Sequence, residues 1–537
     1  MDCLIHGGLI VDGTGRPPYR GDILIRRDEI AAVGRVDAPE GIWKIDAHGL
    51  VVTPGLIDAH THAELSLMQN RQQPNALYQG ISTMVTGQCG LGFAPIEADD
   101  LENAIQMNSG IFGRLPGYCP RWTSFSEFLN LLDGCAVNVG AMASHNAVRQ
   151  IACGYQNLPL TGERLEKALS ALDGALLDGA LGLSVGLSYY PGGYSDTQEL
   201  IALCRAVKKR DGLFCVHMRL DVNNPDFKPM DEIARVAEET LVRTNMLHHR
   251  TGGFEPYTDA TAPFERAIRA GAEVTFEFYP YLVGSGLVLA VVPDWAQEGG
   301  PDEILKRLES KSLRPKLMKD LEHRYGFFFP NGATGRIYLT RDPYSPDRSR
   351  TIDEIAREHG ETPCETVVRL LIENRLEVGF NGVEFKTAEL QEKLYDDQYR
   401  LFLDDRYTIG SDSIPSGGLS HPRTSGAFAR IISQMRKRGV PMETVIRKLS
   451  GKPAEIYHLN DRGVLLPGKK ADVCLMDYDR IEDGADEGFS RRKPEGVVTL
   501  FVNGLPVMRE GTLTGELSGR AVKRGNESPV GAAYGLL

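Results

Sequence analysis

The stretch ELIALCRAVKKRDGLFCVHMR (199–219) decides the fold. It reads as an amphipathic helix, a break at Asp211-Gly212, and then an apolar run short enough to be a buried strand. The same rhythm recurs in LEKALSALDGALLDGALGLSVG (165–186) and FERAIRAGAEVTFEFYPY (264–281). Apolar strands alternating with amphipathic helices predict a parallel sheet covered on both faces. Many such units within about 400 residues favour a (β/α)8 TIM barrel over a doubly wound open sheet.

The chain ends have a different texture. CLIHGGLIVDG, DILIRRDEIAAVG and GIWKIDAHG near the start alternate short apolar runs with turns, as do GVLLPGKKADVCLMDYD and GVVTLFVNGLPVMREG near the end. Residues 1–55 and 459–537 are therefore expected to form one small β-sandwich domain around a barrel spanning 56–458. DEILKRLESKSLRPKLMKDLEHRYG (302–326) predicts a charged helical excursion and RDPYSPDRSR (341–350) a loop. The region 290–360 is read as an insertion over the barrel mouth or, equally, as a peripheral helical hairpin; GNESPVGAAYGLL (525–537) reads as a loose tail.

Composition narrows the function. Of 537 residues, 42% are hydrophobic, and 60 Lys+Arg stand against 72 Asp+Glu, a net charge of -12. That balance argues against nucleic acid or an anionic membrane as the main partner. No apolar run is long enough to span a bilayer, and the start does not read as a signal peptide. Nine cysteines without paired spacing suit reduced thiols in a cytoplasm. A small-molecule substrate is the expected partner, with monomer or homo-oligomer left open.

The strongest local signal is VVTPGLIDAHTHAE (51–64), which ends an apolar strand on His60 and His62. Strand side chains alternate faces, so an H-x-H pair projects both imidazoles to one side, where they can share a metal. LFCVHMR places His217 at a strand end, and TNMLHHRTG does the same for His248 and His249. Only one of those neighbours can point inward as part of a strand, which leaves the other behind the site or facing substrate. Asp412, in YTIGSDSIPSGG, is either a proton acceptor beside the metal or a cap for the following segment. Cys89 lies in VTGQCGLGFAP (85–95), a turn without the Lys and Ser/Thr that a phosphate loop needs. From position alone it is a ligand, a nucleophile or filler.

Together these residues resemble the amidohydrolase superfamily, and within it the N-acyl-D-amino-acid deacylase (D-aminoacylase) branch. The likeness covers nearly the whole chain through PGLIDAHTH, VTGQCGLGFAP, SHNAVR, GALGLSVGLSYYP, VHMR, LHHR, YPYLVGS, IGSD, HPRTSGAFARII and LLPGKKADVCLMD, and is loose only around 290–400. The resemblance implies a tight zinc on Cys89, His217 and His248. It also implies a second, weaker metal position on His60, His62 and Asp412, with Asp412 as general base. The substrate carboxylate is then expected on Arg250, Tyr279, Ser285 and Arg336, with Tyr189 lining the acyl side and His249 among the substrate-facing residues.

The implied activity is hydrolysis of an N-acyl-D-amino acid, or a related D-terminal dipeptide, to a D-amino acid and a carboxylate. A cyclic-amide hydrolase of hydantoinase or imidase type is the alternative within the fold, and a non-catalytic scaffold a more remote one. The chain departs from the branch in HTHAE and HMRLDVNN, where HTHDD and HMRDEG are usual, in Arg250, where lysine is common, and in Ser-Ile-Pro after the aspartate. These changes spare the expected ligands and fall on the substrate end of the site.

Overall fold

The computed structural model describes residues 2–524 except 38, 114–120, 221–227, 252–255, 329–336, 341–348, 383–386, 416–419 and 485–492, with only the backbone of 327 and 328. The loop expected at 341–350 is therefore described only at its last two residues, and the tail expected at 525–537 lies outside the described residues.

The central strands are β1 (Leu56–Asp58), β2 (Ile81–Thr86), β3 (Asn138–Ala141), β4 (Ala143–Ser144), β5 (Gly182–Gly186), β6 (Leu213–His217), β7 (Arg243–Met246), β8 (Val274–Phe278) and β9 (Tyr407–Ile409). β1, β2 and β3 pair in parallel in that order, and β4 to β9 do the same. β4 resumes directly after Met142, so the two ladders are consecutive along the chain. The far ends meet as well. Thr61 bridges Ser413 in parallel, the Asp412 N–H donates to His60 O at 2.9 Å, and the His62 N–H donates to Ser413 O at 2.8 Å. Below them the Asp58 carboxylate accepts the Ser411 N–H at 2.8 Å.

Local chemistry explains the elements. β2, β5 and β8 are buried along their whole length, so the polar side chains they carry, such as Ser82, Thr83, Ser184, Thr275 and Glu277, are buried with them. Helix Thr197–Lys209 buries Leu200, Leu203, Cys204 and Val207 on one stripe. The Asp196 carboxylate caps it by accepting the Glu199 N–H at 2.8 Å, and Asp211, at φ 55°, turns the chain back toward β6. Removing a fully buried side chain such as Leu203 down to alanine costs about 2–5 kcal/mol.

Strands from both chain ends join in one nine-stranded sheet among the described residues. Its central strand Val473–Met476 is buried throughout because it faces two cores. Val473 and Leu475 join a small cluster with Ile5, Ile23 and Phe501, whereas Cys474 and Met476 join the main core. Ala521–Val522 leave this sheet and pair with β3.

The charged excursion is two helices, Pro301–Glu309 and Arg314–Phe328. The region around it is not wholly helical, because Ser285–Leu287, Gly379–Gly382 and Ile337–Leu339 form a small antiparallel sheet. Helix Ser109–Phe112 packs against this sheet so closely that a Cβ on Gly379 would lie 2.0 Å from Gly110 O. No helix among the described residues is long and apolar enough to cross a membrane.

Candidate metal centre

Five of the central strands deliver residues at their C-terminal ends to one place. His60 and His62 follow β1, Cys89 follows β2, His217 ends β6, His248 follows β7 and Asp412 follows β9. The Cys89 Sγ lies 3.4 Å from His60 Nε2 and 3.6 Å from His248 Nε2. His217 Nδ1 is 2.9 Å from His248 Nε2. Asp412 Oδ1 is 3.2 Å from His62 Nε2 and 3.4 Å from His60 Nε2. Two overlapping triads, His60/His62/Cys89 and Cys89/His217/His248, each bring their donor atoms within 4.8 Å of one another. Lone pairs converging this closely in a buried space repel unless a cation or protons lie among them, and thiolate with imidazole is the donor set zinc favours.

Backbone conformation creates this convergence. Cys89 (φ 55°), His248 (φ 37°) and Asp412 (φ 51°) all adopt the left-handed conformation, which side-chain-bearing residues rarely take. Each such residue costs on the order of 1–3 kcal/mol and persists where the surroundings enforce it. Gly87 in the Cys89 turn and Gly186 at the end of β5 allow the approach. A Cβ on Gly186 would sit 1.9 Å from Cys89 O, and one on Gly87 would sit 2.4 Å from Met142 O.

A cavity of about 130 Å³ opens onto this cluster. Tyr189 lines it with its ring 4.8 Å from that of His217. Tyr279 and Ser285 line it too, the Ser285 hydroxyl donating to Phe380 O at 3.0 Å. Ile111 and Ile414 supply its apolar wall.

Two expected substrate-facing residues stand elsewhere. His249 is buried away from the cavity, with Nδ1 2.9 Å from the Tyr407 hydroxyl, Nε2 3.4 Å from Met230 Sδ and its ring against Phe276. The left-handed turn at His248 sends its neighbour to the opposite side, so His249 packs behind the cluster and does not face substrate, contrary to one of the two readings from sequence. Arg250 is half-buried and does not line the cavity. It donates to Tyr281 O at 2.7 Å, with its guanidinium 5.2 Å from the Tyr279 ring. Arg336 lies outside the described residues.

Two residues not singled out from sequence complete the site. Arg423, 1% exposed, lines the cavity, pairs with Asp412 (Nη1–Oδ2 2.7 Å) and lies 4.7 Å over the Tyr279 ring. Its Nε has no hydrogen-bond partner among the described residues. An arginine opening a helix opposes the helix dipole, and that was the available signal in HPRTSGAFARII. Glu277 receives a hydrogen bond from His60 Nδ1. Its signal was a carboxylate inside the apolar run VTFEF.

Electrostatics divides the cluster. Burial pushes His217 down to about 4 and the Cys89 thiol up to about 11. Burial is the largest influence on Asp412 and would raise it, but Arg423, His60, His62 and His248 together outweigh it and hold the carboxylate well below its usual range. Burial likewise opposes charge on His60, and Glu277, Cys89 and Asp412 together reverse the direction and raise it. A thiol this basic ionises only with a cation beside it, so metal binding releases a proton here.

Buried imidazoles, a thiol and a carboxylate converging beyond parallel strands form a donor set able to hold a metal, and the Amidohydrolase family profile matches residues 44–508: the chain belongs to that family. It is 28% identical to a D-aminoacylase of Alcaligenes xylosoxydans xylosoxydans over 98% of both chains. Among solved structures, a D-aminoacylase studied for its binuclear metal centre aligns with TM-score 0.78 and 27% identity, over 97% of this chain and all of that one. An N-acyl-D-glutamate deacylase of Bordetella bronchiseptica, complexed with zinc and a phosphonate mimic of the tetrahedral intermediate, aligns with TM-score 0.78 and 25% identity over 97% and 99%.

Proposed function

We propose that this protein is a zinc-dependent hydrolase that cleaves the amide bond of N-acyl-D-amino acids. The observation that carries this reading is the meeting of Cys89, His217, His248 and an ionised Asp412 in one small cavity with a buried arginine. We read the closed strand order as a (β/α)8 barrel over 56–458, with a β-sandwich from 1–55 and 459–537. The tight zinc is assigned to Cys89, His217 and His248, and a weaker position to His60, His62 and Asp412. Nine thiols without paired spacing support a cytoplasmic location.

Bound zinc supplies Lewis acidity to the amide carbonyl and to water. The chain's residues do the rest. Asp412, kept ionised by Arg423, takes the proton of the attacking water and passes it to the leaving amine nitrogen. Arg423, Tyr279 and Ser285, which line the same cavity, take the substrate carboxylate and so orient the scissile bond over the metal position. Tyr189 and Ile111 exclude water from the acyl side.

The test is turnover by zinc-loaded protein of a panel of N-acyl-D- and N-acyl-L-amino acids and D-terminal dipeptides. Release of a D-amino acid is expected, and failure to turn over any D-substrate overturns the proposal.

A further inference from the structure

We infer that Glu277 is the positioning residue of the weaker metal position: it holds the His60 ring so that Nε2 faces Cys89 and Asp412. This rests on the metal reading above. Glu277 lies in β8, whose alternation sends Phe276 outward against Phe264 and Glu277 inward to His60. Its Oε1 accepts from His60 Nδ1, with both side chains at 1% exposure or less. That hydrogen bond commits the proton to Nδ1 and leaves the Nε2 lone pair free, 3.4 Å from both Cys89 Sγ and Asp412 Oδ1.

The arrangement has no slack. Gly410, just past β9, packs against the pair, and a Cβ there would lie 2.5 Å from His60 Cβ and 2.7 Å from Glu277 Oε2. Glu277 Oε2 itself has no hydrogen-bond partner among the described residues. A buried carboxylate oxygen left unpaired is costly, and an amide or apolar side chain would satisfy the fold better. The charge is explained by what it does to His60, making the imidazole a stronger donor. His62 has no comparable support, since its Nδ1 is unpartnered among the described residues. Orientation of the His60 ring therefore depends on Glu277.

The test is titration of chelator-stripped, full-length protein with Zn²⁺ by calorimetry, and with Co²⁺ by visible absorption. Wild type is expected to bind two equivalents of different affinity. In Glu277→Ala the first should be unchanged and the second weakened up to about 100-fold. In Glu277→Gln, which keeps an acceptor for His60 but no charge, the second should weaken about 10-fold. Wild-type affinity for the second equivalent in either variant overturns the inference, as does equal weakening of both equivalents or a wild type with a single equivalent. Glu277→Gln, nearly isosteric, decides the matter if the alanine variant does not fold. The readout is independent of turnover, so a protein inert toward every D-substrate would sink the deacylase reading and leave this result standing.

Discussion

Arg423 and Asp412 form a buried ion pair at the floor of the cavity, 2.7 Å from Nη1 to Oδ2, and one face of that guanidinium lies over Tyr279. A carboxylate beside imidazoles in a dry site needs such a cation to stay ionised. Both residues line the cavity, so the arginine joins the carboxylate to the cavity wall.

Replacing Arg423 with methionine should lower kcat/KM at least 100-fold, about 2.7 kcal/mol of lost transition-state stabilisation. The base works only when ionised, and Arg423 is the largest influence holding its pKa down. Activity is therefore retained as pH falls until that low pKa is reached. The variant's acidic limb should move to higher pH, and Arg423→Lys should shift it less. An unmoved limb in the pH profile of kcat/KM for Arg423→Met would show that Asp412 does not depend on the pair.

Cys89 belongs to both donor triads. Cys89→Ala should lose the tightly held zinc in elemental analysis and fall below about 1% of wild-type turnover. Full activity in this variant would indicate another ligand scheme and favour the cyclic-amide alternative.

Gly186→Ala tests the geometry without touching a donor atom. The added Cβ would fall 1.9 Å from the Cys89 carbonyl oxygen, so the left-handed turn has to move. A shift of that kind should cost stability on the order of 1–3 kcal/mol, with zinc retention falling in parallel. Unchanged zinc content with normal turnover would mean that the turn tolerates displacement.

A third buried network sets part of the acid stability. Glu199 accepts from His145 Nε2 at 2.8 Å and pairs with Arg149, all nearly inaccessible to solvent. Burial would raise the Glu199 carboxyl, but His145 and Arg149 outweigh it and leave it lowered. A depressed folded pKa contributes stability above the unfolded value and loses it as pH falls through the folded one. Denaturant unfolding of wild type should therefore weaken below about pH 4.5. Glu199→Gln should cost about 3–5 kcal/mol near neutrality, since it leaves Arg149 buried without its carboxylate, and its curve should be flatter in acid. Equal stabilities at pH 7 would contradict this.

Much of the site was legible in the chain because its signals are local. The H-x-H spacing just past the strand Leu56–Asp58 marks His60 and His62, and a breaker followed by an apolar run marks where His217 emerges. Helix and strand in 199–219 follow from side-chain spacing, and the two-faced burial of Val473–Met476 follows from both chain ends feeding one sheet. The resemblance then assigned Cys89, which position alone left among three readings. What the sequence by itself determined was the order of elements and the set of donors at strand ends. Tertiary structure decided which side chains meet. Glu277 reaches His60 across 217 residues of chain, Arg423 supplies the cavity arginine, and His249 is turned away by the backbone of its neighbour. Periodicity is a property of a few consecutive residues, whereas these contacts exist only once the first and last strands close on each other and bring distant strand ends to one point.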